Sequence, residues 1–304
     1  MTVVALAGGV GGAKLALGLS RVTDDLTVVV NTADDFVHLG LHVSPDIDTV
    51  TYTLAGIASP DTGWGLKDET WHFLEAVGRL GGETWFRLGD RDLATHVERT
   101  RRLAAGETLS AITDDFRRRL GVAARIVPMS DDAVRTTVVT DRGDLPFQDY
   151  LVRLRAEPAV AGFRYDGIAA ARPCPAALDA LARASCVIVC PSNPFTSIDP
   201  IVGVAGLGAA LRRRRCPVVA VSPLVGGQAV KGPLAAMMRT MGLPVSSAGI
   251  AAHYGDLIDV LVVDSADAAA AADISGPRVA VAPTVMRSLD DRIALARTVL
   301  ALAR

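Results

Sequence analysis

The chain has 304 residues, half of them hydrophobic, enough to bury a full core as one large domain or two modest ones. Its 31 basic residues against 33 acidic ones leave a net charge of −2, so it carries no basic footprint for nucleic acid. The apolar runs are strand-length or broken by glycine and charge, which argues against a membrane span.

In chain order, Thr2 to Ala7 reads as a short strand, Gly8 to Gly12 as a glycine loop, and Lys14 as the opening of an apolar helix. A strand that turns through glycines into a helix offers backbone N–H groups to an anion at the helix N-terminus, so a phosphate-bearing ligand is expected. The loop is not a P-loop, because Ala13 separates Gly12 from Lys14 and Leu15 follows. Nor is it the dinucleotide fingerprint, which starts well at Gly9 and Gly11 but meets Lys14 where a third glycine belongs. The second strand, Leu26 to Asn31, ends in an amide rather than a ribose-binding acid, which further disfavours an NAD-dependent oxidoreductase. Asp34 and Asp35 follow closely. His38 and His42 stand four apart, but Gly40 between them and the lack of a glutamate partner argue against a zinc helix.

Ser44, Pro45 and Asp46 read as N-cap, first position and first turn of a helix. Asp46 and Asp48, with Asp34 and Asp35 a loop away, are hard oxygen donors beside a phosphate loop and predict Mg²⁺ held between them and a diphosphate. Trp64 to Gly121 looks largely helical and highly charged, with Asp90, Arg91 and Asp92 together in LGDRDLATH. Arg91 offers a planar donor fork for a phosphate or a ring carbonyl; His96 reads as a helix-face residue. A hairpin with its turn near Arg142 to Asp144 is expected next.

The second half alternates regularly. Helices are predicted at Pro175 to Ala184, Ile201 to Arg214 and Asp290 to Ala303, and the Ala-rich stretch Ala266 to Ala272 is also helix-forming. Strands are predicted at Cys186 to Cys190, Pro217 to Val221, Val260 to Val263 and Val279 to Val281. After the first of these, PSNPFTSIDP sets Ser192, Asn193, Thr196 and Ser197 at a strand's carboxyl edge, where open α/β sheets bind ligands; SPLVGGQAVKGP repeats the pattern after the next. The four cysteines lack paired metal spacing and read as buried, reduced thiols of a cytoplasmic protein. Met1 leads straight into the first strand, so no signal peptide is expected. The whole predicts an α/β, doubly wound, mostly parallel Rossmann-like sheet formed by residues 1–60 and 175–304, with a smaller α+β insertion over 61–174.

The segments GGVGGAKL, NTADD, SPDIDTVTYTLAG, LGDRDLATH, PMSDD, PSNPFTSI and SPLVGG occur in this order, and the set resembles the 2-phospho-L-lactate transferase family (CofD/FbiA) of coenzyme F-420 biosynthesis, from residue 1 to about residue 255. The resemblance implies transfer of a phospholactyl, phosphoenolpyruvyl or phosphoglyceryl group from a guanosine diphospho-conjugate to the terminal hydroxyl of the deazaflavin Fo, with release of GMP. It implies that Asp48 and Arg91 contact Fo. From the chemistry of the acids themselves, Mg²⁺ on Asp46 or Asp48 is expected to stabilise the leaving GMP, and an aspartate of this pair to accept or orient the attacking hydroxyl. The resemblance assigns the nucleotide to Gly8, Gly9, Gly11, Gly12, Lys14, Ser192, Asn193, Thr196 and Ser197. The insertion would contribute to the Fo site, and a homodimer is expected. Val10 stands where the family's GGTG loop has threonine, leaving phosphate contact to backbone N–H groups and Lys14. The rival resemblance is to UDP-sugar-binding proteins of the gluconeogenesis-factor group, whose DDGGSSG-type segment is replaced here by ADDFVHLGLHVSPDIDT.

Overall fold

Runs of four or five Val, Ile, Leu and Ala residues have no polar face to turn to water, and so they pair inside one parallel sheet. In the computed structural model, which describes residues 1–304, the first is β1 (Val3–Ala7), followed by α1 (Gly9–Ser20) and β2 (Leu26–Val30). A short hairpin, β3 (Phe36–His38) and β4 (Leu41–Val43), leads into α2 (Pro45–Leu54). Three helices come next, α3 (His72–Arg79), α4 (Asp92–Ala104) and α5 (Leu109–Arg119), then the strand β5 (Arg125–Pro128). β6 (Arg135–Thr140), β7 (Gly143–Pro146) and β8 (Val160–Asp166) make a separate antiparallel sheet. The remainder runs α6 (Pro175–Arg183), β9 (Cys186–Val189), α7 (Asp199–Gly203), α8 (Ala205–Arg212) and β10 (Val218–Val221). It continues with the two-residue strands β11 (Leu224–Val225) and β12 (Gln228–Ala229), then α9 (Leu234–Thr240) and α10 (Ser247–Tyr254). β13 (Val260–Val263), β14 (Arg278–Val281) and α11 (Leu289–Leu302) close the chain.

The central sheet has seven parallel strands in the order β14-β13-β10-β9-β1-β2-β5. The chain winds outward from β1 through β2 to β5, then restarts at β9 and winds the other way, which is the doubly wound architecture expected. Alternation along β1 sends Val4 and Leu6 to one face, under α6, α8 and α10, and Val3, Ala5 and Ala7 to the other, under α1, α2 and α11. The two cores hold 31 and 30 buried residues, so neither face of the sheet is left to solvent. The strand order reverses between β1 and β9, and a crevice opens there at the carboxyl ends.

Four local expectations are corrected. β5 lies inside the 61–174 segment yet pairs with β2 as the sheet's edge, so that segment is not wholly apart from the core. The single helix expected over 201–214 is broken: the helical run Pro194–Gly203, which ends in α7, meets α8 at 89°, where Val204 is extended and Gly203 packs so close to Ile168 that a Cβ would sit 2.5 Å from it. The hairpin turns at Asp141–Arg142, because Thr140 pairs with Gly143, and Asp149–Arg153 then coils into one turn of π-helix that buries Tyr150. Ala266 to Ala272 forms tight 3₁₀ turns within Ser265–Asp273. No single helix is long and apolar enough to cross a membrane.

Candidate active site

The expected glycine loop is in fact the start of a helix. Gly8 is extended, Gly9 takes φ +61°, and α1 begins at once, so Gly9, Gly11 and Gly12 lie in its first turns. Glycine is a poor helix former, and what selects it here is close approach. A Cβ on Gly11 would lie 2.2 Å from the Pro191 carbonyl oxygen, and one on Gly8 would lie 2.5 Å from the Asp46 carboxylate. The N–H groups are also less bare than expected. Gly8 N–H donates to Ser192 Oγ (3.1 Å), Ser192 Oγ donates back to the Gly8 carbonyl (2.8 Å), and Gly9 N–H donates to Asp46 Oδ1 (2.7 Å). Val10 and Gly11 keep their N–H groups at the open end of the helix. Lys14 lies one turn further on and donates to the Met286 carbonyl (3.1 Å).

Residues two apart on a helix point about 200° from one another, and this separates the two aspartates of α2. Asp46 faces α1: it accepts from Gly9 and, through Oδ2, from Asn31 Nδ2 (2.9 Å), which also donates to the Thr196 carbonyl (3.1 Å). Burial pushes the Asp46 carboxyl up to about 6 even though these two donors favour its charge. Asp34 stands beside it. Burial first, and the Asp46 charge next, raise its pKa well above the ordinary range, and its Oδ1 is buried without a partner. Ser44 does not use its side chain as a cap but donates to Asp35 (2.7 Å).

Asp48 faces α4 instead. Both its oxygens are taken by the fully buried guanidinium of Arg99, one at 3.1 Å and the other in a shorter contact, with His96 Nδ1 3.7 Å away. His96 Nε2 lies 3.4 Å from Asp92, which accepts from the Tyr52 hydroxyl (2.6 Å). Burial raises the Asp48 carboxyl, and Arg99 and His96 oppose it. Burial acts the same way on Asp92, but His96 and Tyr52 overcome it and hold that carboxyl low. Asp46 and Asp48 therefore do not form the metal pair expected. The carboxylates that meet beside the glycine turn are Asp46 and Asp34.

No three Asp, Glu, His or Cys side chains converge as a metal cage. Two carboxylates, one with an unpartnered buried oxygen, suit a hard cation that draws its remaining ligands from water and substrate phosphates.

These groups border a cavity of about 870 Å³ at the strand-order reversal. Gly8, Gly9, Gly11, Lys14, Ser192, Asn193, Thr196 and Ser197 all line it. Asn193 does so as a cap, its Oδ1 accepting from Phe195 and Thr196 N–H, and Ser192 through its exchange with Gly8. Gly12 packs behind, against Ser192 and Ala7, and does not reach the cavity wall. The 61–174 segment brings a group of apolar and aromatic side chains to the lining, Trp85, Phe86, Phe147, Leu151 and Val152. Arg91 is not part of it. It is exposed, its N–H goes to Glu69 and its guanidinium to the Lys67 carbonyl (3.1 Å). Arg87 lines the cavity instead, its guanidinium 4.1 Å from the centre of the Trp71 ring. Asp34 was visible in NTADD as part of a carboxylate cluster. Arg87 and Arg99 carried no signal, because nothing in the sequence distinguishes them from the other arginines of these charged segments.

Fold and cavity define an open α/β protein with its ligand crevice at the switch of strand order, lined by polar groups of the sheet's rim and by aromatic rings of the 61–174 segment. The family model described as 2-phospho-L-lactate transferase CofD matches residues 3–282. The chain belongs to the CofD family. It is 43% identical to a phosphoenolpyruvate transferase of Streptomyces avermitilis, covering 100% of this chain and 98% of the relative. It is 42% identical to a 2-phospho-L-lactate transferase of Methanopyrus kandleri (97% and 95%) and 38% to one of Methanocaldococcus jannaschii (98% and 97%). Among solved structures, a UPF0052-family protein of Bacillus halodurans superposes with a TM-score of 0.64 at 14% identity over 98% of each chain, a likeness of fold alone. The protein is a CofD-family transferase of the phosphate-transfer type.

Proposed function

We propose that this chain moves a phospho-acid group from a guanosine diphospho-conjugate to the terminal hydroxyl of Fo, releasing GMP, in coenzyme F-420 formation. The observation that carries this reading is one cavity lined by two chemically different sets of residues, with Asp46 and Asp34 among the polar ones. A diphosphate suits the polar set, where the open N-terminus of α1 and Lys14 present donors and positive charge. A planar, mostly apolar ring system suits the wall of Trp85, Phe86, Phe147, Leu151 and Val152.

Displacement at phosphorus needs alignment and neutralised charge more than covalent help. The hydroxyl oxygen of Fo bonds to the phosphorus next to the acid, its proton passes to a carboxylate or to water, and the P–O bond to GMP breaks with the electron pair leaving on GMP. Asp48, held by Arg99 and His96 at the cavity wall, would orient the attacking hydroxyl. Asp46 and Asp34 would hold Mg²⁺, which when bound neutralises diphosphate charge. Asn31 and Gly9 fix the Asp46 carboxylate for that purpose.

Relatives named for phosphoenolpyruvate and for 2-phospho-L-lactate match at similar identity, so the acid is settled by assay. The protein, Mg²⁺ and Fo are mixed separately with guanosine diphospho-lactate, -enolpyruvate and -glycerate, and products are read by mass spectrometry. GMP with a phosphorylated Fo adduct is expected, and the fastest donor names the acid. No adduct from any donor overturns the proposal.

A further inference from the structure

Three of the carboxylates facing the cavity are matched by donors, Asp48 by Arg99, Asp92 by Tyr52 and His96, and Asp46 by Gly9 and Asn31. Two ammonium groups on its wall are not matched by acids. Lys14 donates to the Met286 carbonyl and Lys231 to the Thr62 carbonyl, and backbone oxygens are the partners each has. Both residues line the cavity. Their relative position follows from Gly63. A Cβ built there would lie 2.8 Å from Val10 Cγ1 and 3.4 Å from Lys231 Nζ, which puts that ammonium beside the first turn of α1.

Lys231 arrives on the segment between β10 and α9, which follows the strand next to β9 in the sheet. The segment is braced by the β11–β12 pair and by Gly226 N–H donating to Asp267 (3.1 Å to each oxygen). Burial, then Arg292, then Lys231 lower the pKa of Lys14, and partial desolvation lowers that of Lys231. Two cations held near one helix N-terminus, neither of them paired with a carboxylate, repel each other until an anion joins them. A carbonyl satisfies one N–H of an ammonium but not its charge.

We propose that Lys231 is a second cation for the donor's diphosphate, supplied by the β10–α9 segment to complement Lys14 and the N-terminal turn of α1. Lys14 and Lys231 share the anion's charge, and Lys231 gives up the Thr62 carbonyl for a phosphoryl oxygen, tying this segment to the bound donor. A ligand with two adjacent phosphoryl groups gains from both lysines, while a lone phosphate gains from one. The inference rests on the diphosphate donor proposed above.

The test is calorimetric binding of GDP, inorganic diphosphate and inorganic phosphate, each with Mg²⁺, to the wild-type protein and to Lys231→Met and Lys231→Arg. Lys231 is exposed, so neither variant is expected to change the unfolding temperature of the free protein. Lys231→Met should weaken GDP and diphosphate by about tenfold or more, reduce the salt dependence of their binding, and leave phosphate within about threefold. Lys231→Arg should retain most of the affinity. Wild-type binding of GDP that Lys231→Met leaves unchanged overturns this inference and spares the donor reading. Failure of the wild type to bind GDP or diphosphate at all overturns the donor reading and this inference with it.

Discussion

Arg99 is buried to 1% exposure, and its guanidinium fork serves Asp48. Removing one partner of a buried pair leaves the other charge uncompensated, so Arg99→Met should cost about 3–5 kcal/mol in urea unfolding; a loss within experimental error would show that the pair does not hold α2 to α4. Arg91 makes the opposite prediction. Its side chain is exposed and outside the cavity, so Arg91→Ala should leave the KM for Fo near the wild-type value, whereas Arg87→Ala should raise it about tenfold or more. A large rise for Arg91→Ala alone would restore the role that the family resemblance gives that residue. Asp46 supplies a pH dependence. A carboxyl raised from 3.8 to about 6 keeps its proton in the folded protein where the unfolded chain has lost it. The unfolded state then binds fewer protons, so this group's contribution to stability is present below about pH 4 and is lost as pH rises through about 6. For a shift of roughly two units the loss is about 3 kcal/mol. Wild-type stability should therefore fall relative to that of Asp46→Asn between about pH 4 and 7 in metal-free buffer, and parallel curves would contradict it.

At the scale of elements, the apolar runs of β1, β2, β9, β10 and β13 could be read directly, because a strand covered on both faces needs no partner to explain its composition. The beginning of α1 could not. Four glycines in five residues read locally as a loop, and only the approach of Pro191 and Asp46 explains why a helix starts there. Gly18 obeys the same rule at the other end of α1, where a Cβ would lie 2.1 Å from the Arg292 carbonyl of α11. Helix propensity and packing predict opposite signs at this position. Propensity says that Gly18→Ala stabilises by about 1 kcal/mol, but the backbone contact says that it destabilises by about 3 kcal/mol or prevents folding. Chemical denaturation decides between them, and a gain in stability would mean that α1 and α11 are not packed this closely. The α7–α8 bend was illegible for a similar reason, since Val204 and Gly203 take their conformations from Ile168 and the sheet beneath.

For the whole molecule, the cavity exists because the 61–174 segment folds its aromatic wall over the crevice left by the strand reversal. The two halves should respond to different ligands in amide hydrogen exchange. GDP is expected to slow exchange over residues 9–14, 192–197 and 227–233, and Fo over residues 83–87 and 147–152. Protection of the same peptides by both ligands would put them in a single subsite and undo the division of the walls.

The sequence by itself determined six of the seven strands of the sheet, its winding and the rim on which the site lies, because strand composition and the order of strands and helices are local properties summed along the chain. It also placed Gly8, Gly9, Gly11, Lys14, Asp46 and the Ser192–Ser197 turn at one edge. Only the tertiary structure decided which carboxylates face each other, that Arg99 claims Asp48, that Arg87 rather than Arg91 reaches the cavity, and that Lys231 comes to the first turn of α1. Those outcomes depend on helix phase and on contacts between residues far apart in the chain, and neither is written in the spacing of a motif.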